Sequence, residues 1–278
     1  MQPDTFIPAL TLGTRKPHYI KRRFNLKINH ALKKMRLGEA TIGCFLGLGS
    51  PSVAELLAHS GFDWLLIETE HNGLDSAEIE HMLTSINVTE TVPIVRVPSS
   101  DKVYTQRALD MGAMGILAPM VKSSKEVSKI VQHTKYPPYG TRSWGPLRAS
   151  QYTIDNEDYF ENANNNIIVG VILETTNALK DLENIVSVPG LDLIVIGPWD
   201  MALSLGLDPR KLPLPEIDEI VERVIDITSN TSIAVGYGSA TPNGIKNLKE
   251  EGVTFLSYGP DYALLVNSAK IGIDAFRD

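Results

Sequence analysis

Cysteine is almost absent from this chain, with Cys44 as the single example in 278 residues. One cysteine excludes an intramolecular disulfide and any zinc site built from several cysteines, which fits a reducing compartment. Long apolar runs are also missing, since no stretch approaches the ~20 residues needed to span a bilayer. The formal charge is -7 and basic residues are dispersed after residue 36, which argues against a nucleic-acid partner. We therefore expect a cytoplasmic protein with no membrane and no nucleic-acid partner, and leave a mitochondrial location open.

The N-terminus differs in composition from the rest of the chain. Residues 1–36 hold nine Lys or Arg and one acidic residue, Asp4. A secretory signal has its charges ahead of a longer apolar region, and this segment shows no clear amphipathic helix of the mitochondrial type. We predict a basic N-terminal arm over 1–36, followed by one domain over 37–278.

The remainder repeats one pattern, a short apolar run followed by a segment with helical spacing. The runs cover 40–48, 63–69, 92–97, 115–120, 166–175, 191–197, 232–238 and 254–259. Continuous apolar runs are typical of parallel strands covered by helices. Eight such units in about 240 residues predict a (β/α)8 TIM barrel. A doubly wound sheet is the alternative, but the turn after the first run, GLGSPS, lacks the G-x-G-x-x-G spacing of that fold.

Ionisable residues gather at the C-terminal ends of the predicted strands, which is the catalytic face of a TIM barrel. They are Glu68, Glu70, His71, Arg96, Glu174, Asp200 and Asp261. A lone acid after a strand is usually a helix N-cap, and we favour that interpretation for Asp261. The others converge on one rim, where mutual repulsion would raise carboxylate pKa values unless a cation lies among them.

Carboxylate oxygens with one histidine and no cysteine favour a hard divalent cation, Mg²⁺ or Mn²⁺, with Co²⁺ possible. The residues thus indicate a metal-assisted reaction on a small oxyanion. Arg96 would be a second positive group and His71 would carry the proton.

Six motifs, in order and with matching spacing, resemble the HpcH/HpaI family of metal-dependent class II pyruvate aldolases. They are DWLLIETEH, PIVRVP, ALDMGAMGILAPMV, YPPYGTRS, VILET and GPWDMALSLG, and the resemblance covers roughly residues 25–275. It implies a barrel whose last helix is exchanged between subunits of a homo-oligomer, a trimer or hexamer. It also implies cleavage of a 4-hydroxy-2-oxo acid to pyruvate and an aldehyde through a metal-bound enolate, in many members with oxaloacetate decarboxylation.

Carried over residue by residue, the resemblance implies Glu174 and Asp200 as metal ligands, Arg96 as the group that stabilises the enolate, and His71 as the base. Glu68 would support His71, whereas Glu70 would support the local network. The substrate-binding residues implied by the resemblance are Gly197, Pro198, Ser204 and Phe45, and Asp110 would lie near the neighbouring subunit's site.

Three positions depart from the family pattern. Glu68 stands where the family usually has aspartate, Ile172 where it often has glutamine, and Phe45 where it usually has tryptophan. These changes affect the specificity for the acceptor aldehyde and the proton-transfer step. A long loop at 136–155 offers Arg142, Trp144 and Arg148 as candidates for the acceptor end, or else a solvated or subunit-contact loop.

Two other functions stay open. A phosphate-binding barrel, an isomerase or synthase, would hold its phosphate at the ends of strands seven and eight, which here read GYGSATPNG and SYGPDYA. A non-catalytic oligomeric relative is the second, although a scaffold has no need for Glu174, Asp200 and Arg96 together.

Overall fold

Eight parallel strands form one closed barrel in chain order in the computed structural model, which describes residues 26–277. The strands are β1 Thr41–Leu46, β2 Trp64–Glu68, β3 Val92–Arg96, β4 Gly115–Ala118, β5 Ile168–Leu173, β6 Leu193–Ile196, β7 Ala234–Gly238 and β8 Phe255–Pro260. Each predicted apolar run overlaps one of these strands, so the predicted TIM barrel is confirmed.

Twelve α-helices accompany the strands in the described part of the chain, together with a short 3-10 helix, Pro209–Lys211. They are α1 His30–Arg36, α2 Pro51–His59, α3 Ser76–Ile86, α4 Lys102–Asp110, α5 Ser124–Thr134, α6 Asn156–Asn166, α7 Thr176–Lys180, α8 Leu182–Val186, α9 Pro198–Ser204, α10 Pro215–Thr228, α11 Pro242–Glu251 and α12 Asp261–Arg277. No helix among residues 26–277 has the length and apolar character needed to cross a membrane.

Side chains alternate between the inside of the barrel and the layer under the helices, as strand geometry requires. On β2, Trp64 and Leu66 join the buried cluster inside the barrel, while Leu65 and Ile67 pack in the outer layer. The same alternation directs Glu68, at the end of this strand, toward the mouth. Parity along each strand therefore determines which residues can face a central site.

The bottom of the barrel is closed by α1. Its Ala31, Leu32 and Met35 are buried in the same cluster as Trp64 and Leu66. Residues 1–25 of the expected N-terminal arm lie outside the described residues, and residues 26–36 pack on the barrel. Two further features had no counterpart in the sequence pattern: α6 precedes β5, and the helix after β5 is split into α7 and α8.

Candidate active site

A cavity of about 240 Å³ opens at the C-terminal end of the barrel. Its lining residues are Phe45, Arg96, Ile172, Glu174, Val195, Ile196, Gly197, Pro198, Trp199, Asp200, Tyr237, Gly238, Phe255 and Ser257. Three of these residues are charged, Arg96, Glu174 and Asp200, and most of the others are apolar or glycine. This mixture of a few polar groups with apolar walls is typical of a small-molecule site.

Arg96 ends β3 and stands directly opposite Glu68 in the β2–β3 register. Its Nη1 lies 3.0 Å from Glu68 Oε2, its Nη2 pairs with Glu70 Oε2, and the same Nη2 lies 3.8 Å from Glu174 Oε2. All four side chains are largely buried. A single guanidinium therefore faces three carboxylates, and the rim keeps an excess of negative charge.

Glu174 is the most deeply placed carboxylate of the rim, with 2% of the residue exposed. Its Oε1 accepts a hydrogen bond of 2.6 Å from the backbone N–H of Met120. Met120 has a φ of 54°, a left-handed conformation that costs free energy in a residue with a side chain and is often found at functional sites. Burial raises the pKa of Glu174 to about 7, and the negative charges of Asp200 and Glu70 add to this rise.

Gly197 leaves room for the Glu174 carboxylate. A Cβ at position 197 would lie 2.7 Å from Glu174 Oε2, so a larger residue would displace the carboxylate. Asp200 follows in the first turn of α9 and lines the same cavity. Two carboxylates thus reach one cavity, one of them in a space that only glycine provides.

These residues fit a divalent cation. Desolvation and the repulsion from Asp200 together raise the pKa of Glu174. A cation, as a second positive charge beside Arg96, would offset both effects. Within residues 26–277, no three His, Cys, Asp or Glu side chains lie close enough to hold an ion by themselves. Mg²⁺ keeps several waters and commonly uses one or two carboxylates, which matches a pair of protein ligands.

His71 lies on the rim rather than in the cavity. Its side chain is 64% exposed, and its Nε2 is 3.5 Å from Glu70 Oε2. Glu68 contacts the backbone of this turn, because its Oε1 accepts from the N–H groups of Glu70 at 2.7 Å and His71 at 3.2 Å. The imidazole therefore faces Glu70, and not Glu68 as the resemblance implies.

Burial also raises the pKa of Glu70, and the adjacent Arg96 opposes this rise.

The structure brings Phe45, Gly197 and Pro198 to the cavity, but it does not bring Ser204 there. The Ser204 hydroxyl instead accepts a hydrogen bond of 2.9 Å from the N–H of Thr176. Asp261 is buried and accepts from the backbone N–H of Gly47 and Leu48, so it fixes the loop after β1.

The three loop residues considered for the acceptor end do not line this cavity. Arg142 is buried, pairs with Asp110 at 2.7 Å and lies 4.6 Å from the ring centre of Tyr136. Trp144 packs against the same tyrosine, and Arg148 donates to the carbonyl of Met111. Within the chain, these contacts support the conformation of the loop.

Sequence reasoning missed Ser257 and the backbone of Met120. Ser257 lines the cavity two residues after the inward-facing Phe255 on β8, so strand parity could have identified it. The left-handed backbone of Met120 has no signal in the sequence, because methionine has no preference for that conformation.

Comparisons with known proteins agree with the fold. The family model described as HpcH/HpaI aldolase/citrate lyase matches residues 41–268. A 4-hydroxy-2-oxo-heptane-1,7-dioate aldolase from Shigella sonnei is 35% identical over 240 residues, which cover 85% of this chain and 90% of the relative.

Two solved structures share the fold. An HpcH/HpaI aldolase/citrate lyase family protein from Burkholderia cenocepacia J2315 gives a TM-score of 0.83 at 30% identity, covering 90% of this chain and 100% of that chain. Macrophomate synthase gives a TM-score of 0.80 at 23% identity, covering 91% and 92% of the two chains, and at that identity the likeness shows the fold alone.

Proposed function

The chain belongs to the HpcH/HpaI aldolase/citrate lyase family, and from this membership we propose that it is a metal-dependent carbon–carbon lyase. The reaction is the reversible cleavage of a 4-hydroxy-2-oxo acid to pyruvate and an aldehyde. The observation that carries the proposal is the placement of Arg96, Glu174 and Asp200 around one cavity at the barrel mouth. The name of the Shigella sonnei relative contains a 4-hydroxy-2-oxo acid of this class.

Glu174 and Asp200 would hold the cation, Mg²⁺ or Mn²⁺, with Co²⁺ as a substitute. When bound, the cation would supply Lewis-acid polarisation of the substrate's 2-oxo group.

The chain's own residues then perform three tasks. His71 takes the proton from the 4-hydroxyl, the C3–C4 bond breaks, and its electron pair moves toward the 2-oxo oxygen to form the enolate of pyruvate. Arg96 stabilises the negative charge that develops on that oxygen. Protonation of the enolate at C3 then yields pyruvate, while the former 4-hydroxyl becomes the carbonyl of the aldehyde.

Oxaloacetate decarboxylation would use the same cavity. Loss of carbon dioxide from C4 leaves the same enolate, but no hydroxyl proton has to be removed. Arg96 is needed in both reactions, whereas His71 is needed as a hydroxyl base only for aldol cleavage.

The test is pyruvate release from 4-hydroxy-2-oxo acids, measured with and without EDTA and after Mg²⁺ or Mn²⁺ is restored. We expect release that EDTA abolishes and the metal restores. Release that is insensitive to EDTA would contradict the metal-dependent mechanism. No release from any such acid or from oxaloacetate would favour the non-catalytic alternative.

A phosphate-binding barrel is less well supported. The residue after β8 is the buried carboxylate of Asp261, which already accepts the N–H groups of Gly47 and Leu48. A negative charge at this position opposes the binding of a phosphate there.

We also propose a homo-oligomer, a trimer or hexamer, with α12 in the subunit contact. The helix exposes Leu265, Val266, Ile271, Ile273 and Phe276, and Phe276 is 90% exposed. Such a set of exposed apolar side chains on one helix is typical of an interaction surface. Light scattering at micromolar concentration should give three or six times the mass of one chain, and a monodisperse monomer would contradict the proposal.

A further inference from the structure

Two largely buried carboxylates, Glu68 and Glu70, lie at and just after the end of β2, and they make different contacts. Glu68 is the last residue of the strand and shares the parity of Trp64 and Leu66, which face the inside of the barrel, whereas Glu70 lies in the turn that follows. Both carboxylates reach Arg96, through Nη1 and Nη2 respectively. The two residues share this contact with Arg96 and differ in their remaining contacts.

Both oxygens of Glu68 are engaged away from the imidazole of His71. Its Oε2 accepts from Arg96 Nη1 at 3.0 Å. Its Oε1 accepts from the backbone N–H groups of Glu70 and His71. Glu68 therefore fixes the guanidinium and the backbone of the turn.

Glu70 has an oxygen that faces the imidazole. Its Oε2 lies 3.5 Å from His71 Nε2 and also pairs with Arg96 Nη2. This oxygen is buried and makes no aligned hydrogen bond among the described residues. A small rotation of the exposed His71 ring would bring Nε2 within hydrogen-bond distance of it.

We infer that Glu70, rather than Glu68, is the positioning residue that orients the His71 imidazole and stabilises it once protonated. The consequence of this contact for catalysis rests on the proposed function. When His71 accepts the proton of the 4-hydroxyl, the imidazolium is next to the carboxylate of Glu70, and the proton later returns to C3 of the enolate. The charged groups that face Glu70 are Arg96 on β3, Asp200 on α9, and Glu68 and His71 on its own segment.

The two carboxylates make matched variants, Glu70→Gln and Glu68→Gln. Each change is nearly isosteric and removes one negative charge. In Glu70→Gln we expect aldol cleavage to fall on the order of 10-fold to 100-fold, the range found when a partner that orients a metal-binding side chain is lost, with decarboxylation reduced less. In Glu68→Gln both reactions should fall together, because Glu68 fixes Arg96.

The pH profile of kcat/KM for cleavage is the decisive kinetic measurement. Removal of the charge beside the imidazole makes protonation of His71 less favourable, so the acidic limb should move to lower pH in Glu70→Gln. It should move less in Glu68→Gln, and Glu70→Asp should recover part of the wild-type limb. A limb displaced by Glu68→Gln and unchanged in Glu70→Gln would overturn the inference.

An NMR titration tests the same contact without any activity. The chain has six histidines, and His71→Gln identifies the signal of His71 in protein labelled at its histidine rings. The titration midpoint of that signal should fall in Glu70→Gln and change less in Glu68→Gln. Equal changes in the two variants would overturn the inference, whereas an inactive wild type with the expected midpoints would reject only the proposed function.

Discussion

Charged side chains lie at both ends of the barrel, but they are paired one to one at the bottom and not at the mouth. At the bottom, Lys34 Nζ lies 2.6 Å from Asp63, and Arg36 Nη2 lies 3.0 Å from Asp192. Lys27 Nζ donates to three oxygens within 3.2 Å. Each cation there has a carboxylate or a set of backbone carbonyls to itself.

At the mouth the acidic side chains outnumber the basic ones. Arg96 faces Glu68, Glu70 and Glu174, and Asp200 lines the same cavity. Burial lowers the pKa of Lys27 to about 8 and raises that of Glu174 to about 7, so desolvation acts at both ends. At the bottom, pairing avoids the cost of an uncompensated charge. At the mouth, the excess of one sign is typical of a site that receives a ligand of the opposite sign.

The largest effect should come from the two proposed metal ligands. Glu174→Gln or Asp200→Asn should abolish metal-dependent pyruvate release, because each removes a charge that a hard cation requires. Steady-state assays across a range of Mg²⁺ concentrations measure this. The matched control is Asp63→Asn at the bottom, which should lower stability and leave turnover intact. Wild-type turnover of either mouth variant at low Mg²⁺ would contradict the assignment of that ligand.

His71 and Arg96 should separate the two reactions. His71→Ala should reduce aldol cleavage by roughly 10²-fold to 10⁴-fold, the usual cost of losing a general base, and should spare oxaloacetate decarboxylation. Arg96→Ala should reduce both reactions, since loss of such a donor costs about 2.7–4 kcal/mol of transition-state stabilisation. Both variants are assayed on both substrates at saturating Mg²⁺. Equal losses for His71→Ala would instead indicate a general role in substrate binding.

The fold and the composition of the mouth could be predicted from the sequence because they follow from local pattern. Eight apolar runs determine the strands, and strand parity directs Glu68, Arg96 and Glu174 inward. The six motifs additionally predicted the family, and the comparisons confirmed it.

The pairings within the mouth could not be predicted in the same way. Whether His71 faces Glu68 or Glu70 depends on the turn after β2, where one carboxylate accepts two backbone N–H groups. Ser204 was expected at the cavity, but its hydroxyl contacts the N–H of Thr176 on the neighbouring unit. The first choice depends on the backbone of one turn and the second on a contact between units, and residue spacing encodes neither.

Glu174 at the mouth should also make the stability of the protein depend on pH. The pKa of Glu174 is raised from its usual 4.5 to about 7, so the folded protein holds this proton more tightly than the unfolded chain does. Its contribution to stability is therefore fully present below pH 4.5 and is lost as the pH rises through about 7. At about 1.4 kcal/mol per pH unit, the loss amounts to roughly 3 kcal/mol in metal-free protein.

Denaturant titrations in EDTA at pH 5 and pH 8, on wild type and Glu174→Gln, measure this difference. Between pH 5 and pH 8 the variant should lose less stability than the wild type does. Addition of Mg²⁺ should restore the stability of the wild type at pH 8. Parallel losses in the two proteins would show that Glu174 does not titrate in this range.

The smallest effect is expected for the paired charges at the bottom. Arg36→Met removes the cation beside Asp192, whose other oxygen keeps a hydrogen bond of 3.0 Å from the N–H of Val169. Because the Arg36 side chain is 39% exposed, water can replace part of the lost interaction, and the cost should be about 1 kcal/mol. For a domain of this size that corresponds to a fall in Tm of roughly 2–4 °C, measured by calorimetry with saturating Mg²⁺. Turnover should not change, because no residue of this pair reaches the cavity. A fall in kcat of more than about 10-fold, or 1.4 kcal/mol, would show that the bottom of the barrel also controls the geometry of the mouth.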